Sequence, residues 1–165
     1  MTPALLIEAL REQHFERLHH VFDAVCRERR FMAFTQAGSM EQTFSFYRSV
    51  VAGGHSHFVA VQADRVLGWC DVLPTHGQMR AHVGTLGMGV AQSSRGQGVG
   101  KALIQAALAG ARTRGLTRVE LTVHSENRVA QALYRQMGFV QEGCMRKGWY
   151  LDGQYFDIHH MALLQ

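Results

Sequence analysis

The sequence predicts a single α/β (α+β) domain in which helices flank one mixed, mostly antiparallel twisted sheet, in the order βααβββαβαββ. Apolar residues recur at helical spacing in four segments, and seven shorter segments have strand-like patterns. The 17 glycines are spread along the chain as turn signals, and only two prolines occur. No repeat, linker or low-complexity tract interrupts the 165 residues, so residues 1–165 are expected to fold as one domain.

Four helices are predicted from apolar residues spaced three and four positions apart. Ser39 and Gln42 form a capping box at the start of the second helix, and Gly53-Gly54 ends it. Asn127 is suited to cap the fourth helix, which Gly138 ends. The apolar faces of the four helices comprise Phe15, Leu18, Phe22, Val25 and Cys26; Phe44, Tyr47 and Val51; Val99, Leu103, Ala106 and Ala107; and Ala130, Leu133, Tyr134 and Met137.

Seven strands complete the pattern, and the short turns between the second, third and fourth favour antiparallel pairing. The fifth strand shows clear alternation of apolar residues, and Asp152-Gly153 forms a strong turn pair between the last two. The predicted strands are Leu5–Ala9, Phe58–Val61, Val66–Leu73, Ala81–Val90, Arg118–Val123, Phe139–Met145 and Tyr155–Leu163.

Composition excludes several classes of protein. Hydrophobic residues make up 47% of the chain and charged residues 18%, which is typical of a folded globular protein. No apolar run is long enough to span a membrane, and the N-terminus lacks the layout of a signal peptide. Cys26, Cys70 and Cys144 are odd in number and match neither a zinc site nor a disulfide framework. We therefore expect a cytoplasmic protein with no membrane partner and no metal.

The formal net charge of +4 comes almost wholly from arginine, since Lys101 and Lys147 are the only lysines. A nucleic-acid-binding protein would gather this excess into one stripe or cluster. The largest local group, Arg27, Arg29 and Arg30, lies at the end of a predicted helix, where cations suit the helix dipole. The charge balance predicts a phosphate-bearing ligand and no nucleic acid. The sequence leaves open whether the chain forms a homodimer.

A glycine-rich segment, Arg95-Gly96-Gln97-Gly98-Val99-Gly100-Lys101, follows the strand that ends at Val90 and opens the third helix. Glycines at alternate positions let a ligand approach the backbone, and the free N–H groups of a first helical turn attract anions. The segment predicts a pyrophosphate site, with a purely steric glycine turn as the alternative. Its spacing fits neither a Walker A loop nor the dinucleotide fingerprint, which argues against an NTPase or a nicotinamide enzyme.

Two motifs in register resemble the GNAT superfamily of N-acetyltransferases. Arg95-x-x-Gly98-x-Gly100 is similar to the acetyl-CoA loop of that superfamily. Downstream, Asn127-x-x-Ala130-x-x-Leu133-Tyr134-x-x-x-Gly138-Phe139 is similar to its second signature. The element order also matches the GNAT fold from end to end, so the resemblance covers essentially the whole chain. It implies an enzyme that transfers the acetyl group of acetyl-CoA, its cosubstrate, to a small-molecule amine.

The resemblance also implies roles for individual residues. The backbone of Met88 and Val90 would receive the pantetheine arm and the acetyl carbonyl, and Arg95 through Lys101 would bind the pyrophosphate. Asn127, Ala130 and Tyr134 would contact the cosubstrate on the second motif. Tyr134 would act as the general acid that protonates the leaving thiolate, a role suited to a phenol with a pKa of about 10. Sequence pattern alone also allows Asn127 as a simple helix cap and Tyr134 as a core aromatic.

The general base stays open among Asp71, His82, Glu120 and His124, each of which also has a structural interpretation. All four lie on predicted strands near the expected cleft. Adjacent pairs such as His19-His20 point to different faces and give no support to a metal site.

The C-terminal segment Lys147-Gly148-Trp149-Tyr150-Leu151-Asp152-Gly153-Gln154-Tyr155-x-Asp157 resembles GNAT members that acetylate free amino acids and toxins such as phosphinothricin. Polyamine and ribosomal-protein acetyltransferases end similarly, and a non-catalytic acyl-CoA-binding module is a third alternative. We expect an acceptor amine that carries a carboxylate, with Arg48 and Arg80 available to bind it. The apolar surface for its side chain would come from Phe31, Met32, Phe34, Phe44, Phe46 and Tyr47.

Overall fold

The computed structural model describes residues 3–165, in which seven strands and four α-helices follow the predicted order. The strands are β1 (Leu6–Ala9), β2 (Ser56–Gln62), β3 (Arg65–Pro74), β4 (Val83–Val90), β5 (Arg118–His124), β6 (Val140–Leu151) and β7 (Gln154–Leu164). The helices are α1 (Phe15–Arg27), α2 (Met40–Ala52), α3 (Val99–Thr113) and α4 (Arg128–Gln136). Among residues 3–165, no helix has both the length and the apolar character needed to cross a membrane.

All seven strands form one mixed sheet in the order β1-β2-β3-β4-β5-β7-β6. Every neighbouring pair is antiparallel except β4 and β5, which run parallel. The connection between those two strands runs through α3, as a parallel crossover requires. The predicted mixed, mostly antiparallel sheet is therefore confirmed.

The two faces of the sheet bury different residues because side chains alternate along each strand. On one face, Trp69 of β3 packs with residues of α1 and α2 such as Leu18 and Tyr47. On the other face, the neighbouring Cys70 packs with Leu103 of α3. We call these the α1 face and the α3 face. Helix α4 also lies on the α3 face, since its Tyr134 belongs to the same buried cluster as Cys70.

The sheet opens between β4 and β5. These strands pair only from Val83 with Arg118 to Thr85 with Glu120, although both continue beyond that point. Past Thr85 each strand keeps only its outer neighbour, with β4 still paired to β3 and β5 still paired to β7. The two strands thus separate in the middle of the sheet, and we call the unpaired region between them the gap.

The C-terminal hairpin differs most from the sequence prediction. Strand β6 runs to Leu151 instead of ending at Met145, so the expected loop is reduced to the turn at Asp152 and Gly153. Both turn residues have positive φ, 48° and 80°, as a tight hairpin turn requires. Strand β6 contains two register shifts against β7, and these break the alternation that would have revealed its length.

Candidate active site

The glycine-rich loop lies at the N-terminus of α3, where it begins the helix. Gly96 and Gly98 have φ values of 72° and 81°, and a Cβ at either position would meet no atom within 4 Å. The first helical hydrogen bond runs from the N–H of Ala102 to the carbonyl of Gly98. The N–H groups of the preceding turn therefore point beyond the helix end, where they can bind an anion. The backbone at Gly96 and Gly98 is therefore open to an anionic ligand.

The third glycine of the motif, Gly100, is needed for a different reason. A Cβ on Gly100 would lie 3.3 Å from Cδ2 of Leu133 and 3.4 Å from Cε of Met88. Gly100 therefore lets α3 pack closely against α4 and β4. Val99 is buried and can contribute only its backbone to a ligand, whereas the side chain of Lys101 is exposed.

Arg95 and Gln97 use their side chains within the protein. The Arg95 guanidinium donates two hydrogen bonds to the Glu28 carboxylate, at 2.7 and 3.0 Å. Its Nε donates a third to the carbonyl of Val90, at 2.9 Å. The Gln97 amide donates to the carbonyl of Ser93 at 3.0 Å. Both side chains therefore help to fix the shape of the loop, while its backbone at Gly96 and Gly98 stays open to a ligand.

The second motif lies on the same α3 face. Asn127 caps α4, with its Oδ1 accepting a hydrogen bond from the N–H of Ala130 at 3.2 Å. Tyr134 is 7% exposed, and its ring packs against Phe139 with 5.8 Å between centroids. Burial raises the pKa of Tyr134 well above its usual value, with a further contribution from the Cys70 thiol. The phenol therefore remains protonated near neutral pH.

A cavity of about 210 Å³ lies on the α1 face, at the C-terminal end of β5. The segment after α1 contributes Phe31 and Met32, and the C-terminal hairpin contributes Trp149 and Phe156. His124, the last residue of β5, lies among them, 4.8 Å from the Phe156 ring centroid. The cavity is thus walled mainly by aromatic and apolar side chains.

His124 presents one fixed ring nitrogen to this cavity. Its Nδ1 accepts a hydrogen bond from the backbone N–H of Glu126 at 3.1 Å. Because a backbone N–H can only donate, the proton of the neutral ring resides on Nε2. Burial lowers the pKa of His124, with Arg30 acting in the same direction, so the ring is neutral near pH 7. His124 can therefore donate a hydrogen bond to a ligand.

Positive charge borders the cavity. The Arg30 guanidinium lies 4.6 Å from the centroid of the Phe31 ring. Arg29 also lines the cavity but is paired with Asp152, with 2.7 Å between Nη2 and Oδ1. Among residues 3–165, Arg30 forms no ion pair, which leaves its charge available for an anionic group on a ligand.

The two arginines that the sequence suggested for a carboxylate lie elsewhere. Arg48 contacts Glu12 at 3.5 Å on the protein surface, and Arg80 contacts Glu120 at 2.9 Å. Neither lines the cavity. Of the six apolar residues proposed for the acceptor, only Phe31 and Met32 do so. Phe44 and Tyr47 instead pack in the core of the α1 face.

The candidate bases differ in their positions and contacts in the structure. His82 lies in the turn before β4, where its carbonyl accepts hydrogen bonds from Thr117 and Arg118, away from the gap. Glu120 is engaged by both Arg118 and Arg80. Although burial acts to raise it, these hydrogen bonds lower the pKa of Glu120. Asp71 lies half-buried on β3, on the α1 face beside Gly87.

Comparisons with known proteins agree with this architecture. The sequence model of the protein family described as "Acetyltransferase (GNAT) family" matches residues 15–139 of this chain. A mycothiol acetyltransferase of Kocuria rhizophila is 35% identical over 94 residues, covering 56% of this chain and 29% of that protein. The spermidine N(1)-acetyltransferase of Vibrio cholerae is 35% identical over 77 residues, covering 46% of this chain and 44% of that protein. The chain thus spans less than half the length of either relative.

Among solved structures, the chain resembles a phosphinothricin acetyltransferase of Sinorhizobium meliloti in complex with acetyl-CoA. The TM-score is 0.89 at 15% identity, covering 97% of this chain and 88% of that one. At this identity the likeness shows a shared fold and does not extend to the acceptor.

Proposed function

This chain belongs to the GNAT family of acetyltransferases, and from that premise we propose that it transfers the acetyl group of acetyl-CoA to a small primary amine bearing an apolar side chain and a carboxylate. A free amino acid, or a toxin that resembles one, has this chemistry. One observation carries the proposal. The open glycine loop and the aromatic cavity lie on opposite faces of the sheet, and the gap between β4 and β5 lies between them.

The donor half is supported by the α3 face. The backbone around Gly96 and Gly98 is suited to the pyrophosphate of acetyl-CoA, because two positive-φ glycines leave space and the helix end favours negative charge. Beyond Thr85, the β4 backbone around Met88 and Val90 has no partner on its β5 side and can bind the pantetheine arm. We assign Tyr134 as the general acid that gives its proton to the departing thiolate.

The acceptor half is supported by the cavity on the α1 face. A volume of about 210 Å³ with aromatic walls suits one apolar side chain of modest size. Arg30 and the Nε2–H of His124 provide a cation and a hydrogen-bond donor for a carboxylate.

Spermidine is one alternative acceptor, because it is named for one of the relatives. A polyamine carries several ammonium groups and needs several carboxylates to balance them. The cavity lining contains one acidic residue, Glu126, against the two arginines Arg29 and Arg30. The charge of the cavity therefore favours an anionic acceptor over a polyamine.

The proposal is tested by measuring thiol release from acetyl-CoA with a panel of amines under one set of conditions. Phenylalanine, methionine and phosphinothricin should give a higher kcat/KM than spermidine or a short peptide. Phenylalaninamide should react at least about 10-fold more slowly than phenylalanine, since a hydrogen bond to a charged group contributes about 1.5–3 kcal/mol. A preference for spermidine, or equal rates for the acid and its amide, would contradict the proposed acceptor. Absence of thiol release with every amine would favour a non-catalytic acyl-CoA-binding module.

A further inference from the structure

Three residues on adjacent strands form a row across the α1 face. His57 of β2 pairs with Asp71 of β3, and Asp71 pairs with Gly87 of β4. All three have the same orientation as Trp69 and Val59, which pack against α1 and α2. Gly87 lies two residues beyond Thr85, the last residue of β4 that pairs with β5. The row therefore ends at the gap.

The side chain of Asp71 has a clear path to this gap. A Cβ placed on Gly87 would lie 3.5 Å from Oδ1 of Asp71, so the carboxylate extends over the Gly87 backbone. Gly87 has no side chain to separate the carboxylate from the gap. One strand spacing, about 4.8 Å, separates β3 from β4. A proton donor in the gap can thus reach Asp71 directly or through one water molecule.

The Asp71 carboxylate is not used to stabilise the fold. Among residues 3–165, it forms no hydrogen bond and no ion pair. The titratable groups around it are His57 on β2, Tyr47 on α2 and Cys70, its neighbour on β3. Burial lowers the pKa of His57 to about 4 and raises the pKa of Cys70 well above its usual value, so both side chains are neutral at pH 7. Burial, with the neighbouring Asp71 carboxylate, raises the pKa of Tyr47 in the same way.

We propose that Asp71 is the general base of the acetyl transfer, accepting the proton of the acceptor amine across Gly87. The amine nitrogen forms a bond to the thioester carbonyl carbon, and the carbon–sulfur bond breaks. The proton lost by nitrogen goes to Asp71, and the thiolate takes a proton from Tyr134. Asp71 thus gains one proton and Tyr134 loses one, and proton exchange with solvent restores both residues. This inference rests on the proposed acetyl transfer but not on the identity of the acceptor.

The environment of Asp71 suits this task. Burial raises the pKa of Asp71 to about 7. A base is most effective when its pKa lies near the working pH, because it is then both ionised and able to hold a proton. The other candidates lack these properties: Glu120 is occupied by two arginines, and the available nitrogen of His124 already carries a proton.

The first test compares Asp71→Asn with Asp64→Asn, which makes the same change in the exposed turn between β2 and β3. The kcat of Asp71→Asn should fall by about 10²–10⁴, with unchanged affinity for acetyl-CoA. The Asp64→Asn variant should keep the wild-type rate. Wild-type kcat should rise with pH through about 7, and Asp71→Asn should lose this rise. A kcat within about threefold of wild type, or an unchanged pH profile, would overturn the assignment.

The second test is Gly87→Ala. Its methyl group would lie at ordinary contact distance, 3.5 Å, from the carboxylate, and the structure has room for it. The variant should fold with wild-type stability and lose activity by about 10-fold or more, because the methyl blocks the path to Asp71. Full activity of a folded Gly87→Ala variant would show that protons do not pass over this position.

A third measurement does not depend on activity. The pKa of Asp71 is about 7 in the folded state and 3.8 in the unfolded state, so folding favours the protonated side chain. The free energy of unfolding is therefore highest below about pH 3.8, and it falls as the pH rises through about 7. Asp71→Asn should therefore melt several degrees higher than wild type at pH 8.5, and the difference should shrink at pH 5. A variant that melts lower or does not fold would show that Asp71 supports the structure, which overturns the proposal. If no amine in the panel reacts, acetyl-CoA hydrolysis measured with the same variants separates this inference from the proposed acceptor.

Discussion

Glu28 and Arg95 are joined by two hydrogen bonds of 2.7 and 3.0 Å that tie the end of α1 to the glycine loop before α3. Arg95 also bonds to the carbonyl of Val90, so one guanidinium connects β4, the loop and α1. Residues after Glu28 line the cavity on the α1 face. The pair thus links the proposed cosubstrate loop to the segment that forms the acceptor cavity.

Arg95→Lys tests this link, because lysine keeps the charge but cannot form the forked pair or the bond to Val90. We expect the KM for acetyl-CoA to rise about 5-fold or more while kcat changes less, since the loop loses its fixed shape. Arg48→Lys, at the exposed pair with Glu12, should leave both constants unchanged. Steady-state kinetics with acetyl-CoA varied measures the effect. An unchanged KM in Arg95→Lys would indicate that charge alone matters at this position.

The conformation of Gly98 leads to a second prediction. Gly98→Val places a β-branched side chain at φ 81°, a backbone conformation that L-residues rarely adopt, on the surface proposed to face the pyrophosphate. Binding of acetyl-CoA should weaken by about 100-fold or more, because the side chain blocks the N–H groups of the first turn. Calorimetric titration of the folded variant measures this.

Gly77→Val provides the matched control for that experiment. Gly77 has φ 99°, and a Cβ there would also meet no atom within 4 Å, but it lies in the connection between β3 and β4. The two variants should lose similar stability, and only Gly98→Val should lose binding. Equal binding by both would contradict the placement of the pyrophosphate.

Tyr134→Phe provides the third prediction. The ring keeps its packing against Phe139, and only the transferable proton is removed. We expect kcat to fall by about 10²–10⁴ with cosubstrate affinity little changed, measured in a single turnover so that product release does not mask the chemical step. Tyr155→Phe, on the exposed hairpin, should have no effect. Retention of most of the wild-type rate would leave Tyr134 with a packing role.

The local features of the donor side could be predicted from sequence. The glycines of the loop and the cap at Asn127 act within a few residues of their own positions, so pattern alone located the starts of α3 and α4. The apolar spacing of α3 likewise predicted its buried face, which includes Leu103 and Ala107. In each case the residue and the neighbours that determine its role lie in one short segment of the chain.

The proposed acceptor side could not be predicted in this way. Its cavity brings together Phe31, His124 and Trp149 from three distant segments, and no local pattern records that they meet. The row from His57 through Asp71 to Gly87 depends on strand register, which is set by the whole sheet. Charge alone makes Arg80 and Arg48 available for a carboxylate, whereas the structure pairs them with glutamates.

The fourth prediction concerns recognition of the acceptor by Arg30. Arg30→Gln keeps a hydrogen-bonding side chain near Phe31 but removes the charge. If Arg30 binds a carboxylate, the variant should react with phenylalanine and phenylalaninamide at similar kcat/KM. The wild type should prefer the acid by about 10-fold or more, as expected for one charged hydrogen bond. Arg48→Gln, at the surface pair with Glu12, should keep the wild-type preference.

The comparison of acid with amide separates recognition from general damage. A disturbed cavity would lower both rates together and leave their ratio unchanged, whereas loss of a specific charge contact changes the ratio. His124→Phe extends the test, because it keeps an aromatic ring among Phe31, Trp149 and Phe156 but removes the Nε2–H donor. That variant should also reduce the preference for the acid. If the ratio stays at its wild-type value in both variants, the carboxylate is bound elsewhere and the proposed orientation of the acceptor is wrong.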